Sequence, residues 1–310
     1  MDQKKELIKN IYEFLRKNNF NVSEPDLYGL VTFDLICKRD DERYILKILY
    51  NIDTFSKIGV DPLIKMSKLT GSTALIIGEK AGNGKLETGV LYFRHGVPIL
   101  SSESFQDLIN GNMPSIYSAP GGFYVGIDGK KMRSLREKKN YSIGYLSQKL
   151  GVSRRSVSLY ENSNSATIDV YLKLESILNG DISRELELKT NGKEIDELAI
   201  NILNDLVQEV FQRMGELGYR SEYIGRNPFD GISYNLNSFL IMGTCNNIDD
   251  NYKRIVAIKK ISDVLEDTPV IINREYSEKE KVYGCPVINL SDLRKISDSD
   301  KFKRLIEKRL

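Results

Sequence analysis

The stretch Lys131–Ser165, KMRSLREKKNYSIGYLSQKLGVSRRSVSLYENSNS, decides how the rest of this 310-residue chain is read. Ser142 stands where it can N-cap a short helix that buries Leu146 and Leu150 at i, i+4 spacing. Gly151 follows at once, where a sharp turn needs a residue that tolerates positive φ, and Val152 plugs the turn. Ser153 is a second N-cap and opens a helix from Arg154 to about Asn162. Val157 and Tyr160 face inward in that helix, which leaves Arg154, Arg155, Ser158 and Leu159 at its outer N-terminal end. Two helices joined by a tight turn, the second opening with paired arginines, have the form that enters a DNA major groove.

Charge agrees with that reading. From Asp128 to Ser163 nine Lys/Arg stand against Asp128, Glu137 and Glu161, a net +6, whereas the whole chain is only +2. Positive charge is therefore concentrated where a phosphate backbone would lie. Over Gly126–Asn179 the string resembles the DNA-binding domain of the lambda-repressor/Cro family, which implies five helices and double-stranded DNA as partner. The candidate DNA-binding residues are Lys131, Arg133, Arg136, Ser142, Ser153, Arg154, Arg155, Ser156, Ser158 and Leu159. The family often begins its second helix with Gln; this chain has Ile143 there. One such reader per chain covers few bases, so a homodimer on paired half-sites is expected.

Outward from the reader, the chain looks like two copies of one unit. A helix, Glu6–Phe20, leads to FDLICKRDDERYILKILYNID; a second, Leu203–Tyr219, leads to FDGISYNLNSFLIMGTCNNID. Phe33-Asp34 corresponds to Phe229-Asp230 and Asn51-Ile52-Asp53 to Asn247-Ile248-Asp249, both 196 positions apart. Thr73–Gly78 (TALIIG) corresponds to Thr268–Asn273 (TPVIIN), and Gly96-Val97-Pro98-Ile99 to Gly284-Cys285-Pro286-Val287. The offset falls along the chain, as it would if the second copy had a shorter hairpin where the first turns at Ala81-Gly82-Asn83-Gly84. Each copy reads helix, strand, strand, helix, strand, strand, helix. The strands Tyr44–Tyr50, Thr73–Gly78 and Gly89–Arg94 are nearly continuous apolar runs, as in a sheet covered on both faces. Gly111–Gly129, with Pro114, Pro120 and Gly121-Gly122, reads as a linker, and Ile182–Asp196 as a second, charged one.

The flanking copies resemble, in the order of their elements, the nuclease-like fold of restriction enzymes. In that fold an Asp and an acid two positions before a Lys hold Mg²⁺. Asp34 and Lys47 match, but Ile45 takes the acid's place; in the second copy Asp230 is followed by Ile241 and Gly243. One carboxylate is a poor Mg²⁺ site, so catalytic and metal-ligating residues are expected to be absent and no cofactor is implied. Glu24 and Asp26 lie just before the first strand, the place from which a relocated acid would come. Lys47, lacking a catalytic partner, is expected to be a surface or packing residue. Gly78–Lys85 has the wrong spacing for a phosphate-binding loop and reads as a glycine-rich hairpin; Lys38–Arg43 reads as a solvated turn.

Composition narrows the class further. No run approaches 18 apolar residues and the N-terminus has no apolar signal core, so a cytoplasmic protein away from the membrane is expected. Cys37, Cys245 and Cys285 are scattered and are expected to be buried packing residues; His95 has no ligand-spaced partner. The fold expected is multidomain: an N-terminal α/β, nuclease-like domain at 1–112, a linker at 113–127, an all-α lambda-repressor-like helix-turn-helix at 128–190, and a C-terminal α/β domain at 195–310 similar to the first. That order along the full length resembles the archaeal HTH-type transcriptional regulatory proteins, which implies a sequence-specific transcriptional regulator rather than an enzyme. The alternatives are a DNA-targeted metal-dependent nuclease and a scaffold contacting the transcription machinery.

Overall fold

The structure of the chain, a computed structural model, describes residues 3–24, 32–162, 164–190, 204–225 and 227–310. The chain divides into two compact units, one of residues 1–48, 56–74 and 191–310, the other of residues 49–55 and 75–190.

The first unit opens with α1 (Gln3–Lys17), whose Leu7, Ile11 and Leu15 recur at helical spacing and are all buried. β1 (Asn21–Val22), β2 (Leu35–Arg39) and β3 (Glu42–Asn51) follow as an antiparallel ladder, with Ile36 opposite Ile45 and Arg39 opposite Glu42. Of the acidic–basic patch only Asp40 and Asp41 make the turn, Asp40 at φ 50°; Lys38 and Arg39 end β2, Glu42 and Arg43 begin β3, and Arg39 pairs with Glu42 at 2.7 Å. α2 (Val60–Thr70) ends on left-handed Gly71.

The second unit carries a sheet whose neighbours are β5 (Gly84–Lys85), β4 (Thr73–Ala81), β7 (Val97–Ser101) and β6 (Val90–Arg94), with α3 (Ser102–Ile109) after β7. The glycine-rich stretch is the β4–β5 hairpin. β8 (Ile116–Ala119) runs parallel to β6, and β9 (Gly122–Gly126) turns back antiparallel to β8. The expectation of a linker at 113–127 is thus corrected: Pro120 and Gly121-Gly122 make the turn of a hairpin, Gly121 and Gly122 both at positive φ, and Tyr117 stacks on Tyr124 across it.

Four helices follow: α4 (Gly129–Lys138), α5 (Ile143–Leu150), α6 (Arg154–Glu161) and α7 (Ile168–Leu178). Five were expected over Gly126–Asn179; among the described residues there are four, and before α7 stands a strand, β10 (Ser165–Thr167), antiparallel to β9. Ala166 of that strand is buried in the core of the helices, with Leu146, Leu150, Val157 and Leu174. Residues 182–186, expected to begin a charged linker, are tied down: Asp128 N donates to Ile182 O, Arg184 N to Gly126 O and Leu186 N to Pro114 O. Residues 191–196 of that expected linker lie outside the described residues.

The C-terminal part of the first unit contains α8 (Asp205–Glu216), β11 (Arg220–Tyr223), β12 (Gly231–Asn235), β13 (Ser238–Cys245), α9 (Tyr252–Leu265), β14 (Thr268–Asn273), β15 (Lys281–Val282), β16 (Cys285–Asn289), α10 (Leu290–Leu293) and α11 (Ser299–Arg309). Leu203, the expected start of its first helix, lies outside the described residues; Asn204 caps α8 by accepting from Val207 N. The sheet order is β11-β12-β13-β14-β16-β15, with β13, β14 and β16 parallel. Val210, Met214, Leu293 and Phe302 close over it. All three cysteines are free and buried, and burial pushes their thiols up. Among the described residues no helix is long and apolar enough to cross a membrane.

Asp267, half-buried just after α9, titrates in an unusual range. Burial pushes its carboxyl up from 3.8 to about 6, against the opposing pull of Arg43. Because the folded state holds this proton more tightly than the unfolded chain, the group stabilises the fold below pH 3.8, and that contribution is lost as pH rises towards about 6. Asp267→Asn is therefore expected to gain on the wild type in thermal stability as pH rises across this window, with no further gain above it. Melting curves that stay parallel across it would contradict the assignment.

Candidate nucleic-acid interface

The reader is held by the caps that its sequence specifies. Ser142 Oγ accepts from Tyr145 N and Ser153 Oγ from Ser156 N, each at 3.0 Å, so both helices start on satisfied donors. Gly151 takes φ 70° between them, and Val152 N returns to Ser147 O. Leu146 and Val157 are fully buried, and Tyr160 is half-buried against the same core.

What remains outside is basic. Arg154 and Arg155 are exposed at the first turn of α6, and among the described residues neither has an ion-pair partner. Ser156 and Ser158 are half-buried beside them and Leu159 is exposed; Ser156 Oγ also meets Ser153 Oγ at 2.9 Å. Arg154 lies across the start of α5: a Cβ on Gly144 would come within 3.2 Å of its Nη2 and 3.3 Å of its Nε. The absence of a side chain at 144 is what lets the guanidinium lie there, next to Ile143. Tyr145, 38% exposed, packs on Tyr141 at 4.5 Å between ring centres, and Lys149 sits over its ring.

Of the three basic residues expected from α4, Lys131 is exposed, while the other two are drawn to an acid. The side chain of Glu161, at the end of α6, is only 2% exposed; Arg133 Nε donates to it at 3.1 Å and Arg136 Nε to its other oxygen. Arg136, itself 12% exposed, also donates to Tyr141 O at 2.9 Å, and its bond to Glu161 raises its already high pKa. Arg136 is therefore a bolt between α4 and α6, with no guanidinium face left for a phosphate. Sequence reasoning missed Glu161. The signal was an acid alone at the end of the reader helix, with two arginines at i, i+3 on α4.

The nuclease-like positions have a different character. Asp34 is buried, accepts from Ile48 N at 2.8 Å, and pairs with Lys4 at 2.9 Å and Lys47 at 3.2 Å. Lys47 is mostly buried and its ammonium pKa is lowered by burial; it is an ion-pair partner, which corrects the expectation of a mere surface or packing residue. Ile45 is fully buried where a second acid would stand. Glu24 is engaged with Lys260, and Asp26 lies outside the described residues. In the C-terminal part, Asp230 accepts from Thr244 N at 2.6 Å and binds Arg254 at 2.8 Å. A side chain at Gly243 would require Ile258 on α9 to move, since a Cβ there comes within 2.6 Å of its Cδ1. Carboxylates singly placed and already neutralised by cations do not fit Mg²⁺, which needs several oxygen ligands.

Comparison with known proteins agrees with both halves of this description. A family described as a PD-(D/E)XK superfamily domain matches residues 4–114, and a helix-turn-helix family matches residues 132–184. The chain is 54% identical to "Putative HTH-type transcriptional regulatory protein PTO0557" of Picrophilus torridus, covering 100% of this chain and 99% of that protein. It is 42% identical to the Thermoplasma acidophilum protein of the same description, covering 99% of each chain. With that of Methanocaldococcus jannaschii it shares 33% identity, over 94% of this chain and 93% of the other. No solved structure matches the chain.

The buried Glu161 makes a direct prediction. Glu161→Ala leaves the guanidinium of Arg136 enclosed without its acceptor, and breaking such a pair costs about 3–5 kcal/mol. Urea unfolding of the variant should show the helix-turn-helix losing stability on that scale. A loss within about 0.5 kcal/mol, the range of ordinary surface changes, would show that the cluster does not hold the helices together.

Proposed function

This chain belongs to the archaeal family of HTH-type transcriptional regulatory proteins, and from that we propose that it is a sequence-specific DNA-binding regulator of transcription that reads the major groove with α6. The observation that carries the reading is the pair of exposed guanidinium groups at the first turn of α6, without an ion-pair partner among the described residues, on a helix whose other face is sealed by Val157 and by Glu161. An Arg side chain at that position reaches guanine O6 and N7, or a phosphate, without disturbing the core. Arg155 is the base reader. Arg154, laid across Gly144, contacts the backbone near the start of α5, where the family's usual Gln is replaced by Ile143. Ser142, Ser153, Ser156, Ser158 and Leu159 line the same end, and Lys131 adds charge from α4. Arg133, still half exposed, contributes charge as well, whereas Arg136 acts by fixing α4 against α6.

The functional form on DNA is a homodimer on two half-sites about 34 Å apart, since one reader spans too few bases. The nuclease-like domain serves as a scaffold without cleavage: Asp34 is neutralised by Lys4 and Lys47, and a hydrophobic side chain fills the position of the second acid.

On its preferred duplex, Arg155→Ala is expected to weaken binding about ten-fold, the lower part of the ~1–3 kcal/mol range for a bidentate Arg–guanine contact, with the thermal transition unchanged. Sedimentation of the wild-type complex should give two chains per duplex. A double Arg154→Ala, Arg155→Ala variant that binds as tightly as wild type would refute the reader assignment; one chain per duplex would refute the dimer.

A further inference from the structure

The two α/β segments repeat each other in backbone detail as well as in sequence. Asp34 N donates to Leu46 O and Asp230 N to Met242 O; the carboxylates accept from Ile48 N and Thr244 N. Asn51 caps the following turn through Asp53 N and Asn247 through Asp249 N. The hairpins before β7 and β16 both turn on two consecutive left-handed residues, His95-Gly96 and Tyr283-Gly284. β4 and β7 are parallel, with Ile76 opposite Ile99, as are β14 and β16, with Ile271 opposite Val287. These features place α2 in the position of α9, and the edge strand β1 in that of β11.

Within the first unit the two segments touch, and they do so reciprocally. Lys65 of α2 pairs with Glu222 of β11 at 2.7 Å. Lys260 of α9 pairs with Glu24, just after β1. The two lysines are equivalent, each standing at the same place relative to the left-handed residue, Gly71 or Glu266, that ends its helix. Helix of the first segment to edge strand of the second, and helix of the second to edge strand of the first, is the contact pattern of a two-fold interface. Around it, α9 packs along β2, Lys38 pairs with Glu266, and Thr32 Oγ1 donates to Gly225 O at 3.1 Å.

We propose that this chain is a built-in pseudo-dimer: the C-terminal α/β segment is a second copy of the first and fills, within the same chain, the surface on which a second chain would otherwise dock. The partner this surface fits is therefore the chain's own other half. Lys65 of α2 and Lys260 of α9 already have their acids, and the face they mark is closed to other copies. Two chains that meet on DNA must do so through other surfaces, so the proposal stands or falls independently of the DNA-binding reading. In the second copy Gly243 lies against Ile258 and Arg254 is bound to Asp230, so these positions serve packing within the pair.

The test uses the full chain with paired cysteines, Glu24→Cys with Lys260→Cys and, separately, Lys65→Cys with Glu222→Cys, treated with a short bis-maleimide. The native thiols are buried and do not compete. Both pairs are expected to link within one chain, giving a product of monomer mass whose yield does not change from nanomolar to tens of micromolar protein. Links that form only between chains, with a yield that grows with concentration, would overturn the proposal by showing the surface open to a second copy. Failure of either pair to link, with the four single-cysteine variants folded and reactive, would overturn it as well, since reciprocity requires both contacts.

Discussion

The carboxylate of Glu161 is where the reading module is tied together. A charge taken out of water is tolerated only if it is paired and hydrogen-bonded, and here Arg133 and Arg136 supply both. One ion cluster therefore locks α4 to α6 in the most basic part of the chain and removes Arg136 from the charge available at the surface. Arg154 and Arg155, at the opposite end of α6 from Glu161, have no ion-pair partner among the described residues. The partition of five nearby charges into internal and external ones follows from the placement of a single glutamate.

A second constraint acts through the backbone. β8 extends the sheet of the second unit, β9 turns back on it and β10, arriving between α6 and α7, closes the edge. The reader helices thus hang from a hydrogen-bonded ladder rather than from a tether, and Ala166 carries that ladder into their core. In a regulator, such a mount fixes the angle of α6 to the sheet that bears it. Ile45 and Ile241 are buried, and Asp34 and Asp230 each brace the strand beside them by accepting one backbone hydrogen bond.

Much of this was legible in the sequence because the deciding signals are local. Ser142, Ser153 and Gly151 act on donors and dihedral angles within a few residues, so cap and turn chemistry reads directly. The hairpin at Gly82-Asn83 and the turn at Asp40 are of the same kind. What sequence reasoning lost depends on partners distant along the chain. Pro120 and Gly121-Gly122 look alike in a linker and in a hairpin turn; the pairing of β8 with β9, and its docking on β6, distinguishes them. Lys47 looks like a stranded catalytic relic until Asp34 is seen to hold it with Lys4. The fifth helix was an expectation of kinship, and Ser165–Thr167 found a strand edge to join instead.

The central claim is that this chain carries sequence information from DNA through α6, and selection from a pool of random duplexes by the purified full-length protein tests it most directly. The account predicts enrichment of one motif, arranged as two half-sites about one helical turn apart, and a changed or lost preference at guanine positions when Arg155 is replaced. Retention of duplexes without any enriched sequence, however tight the binding, would contradict it and leave the basic surface as a phosphate-binding patch alone.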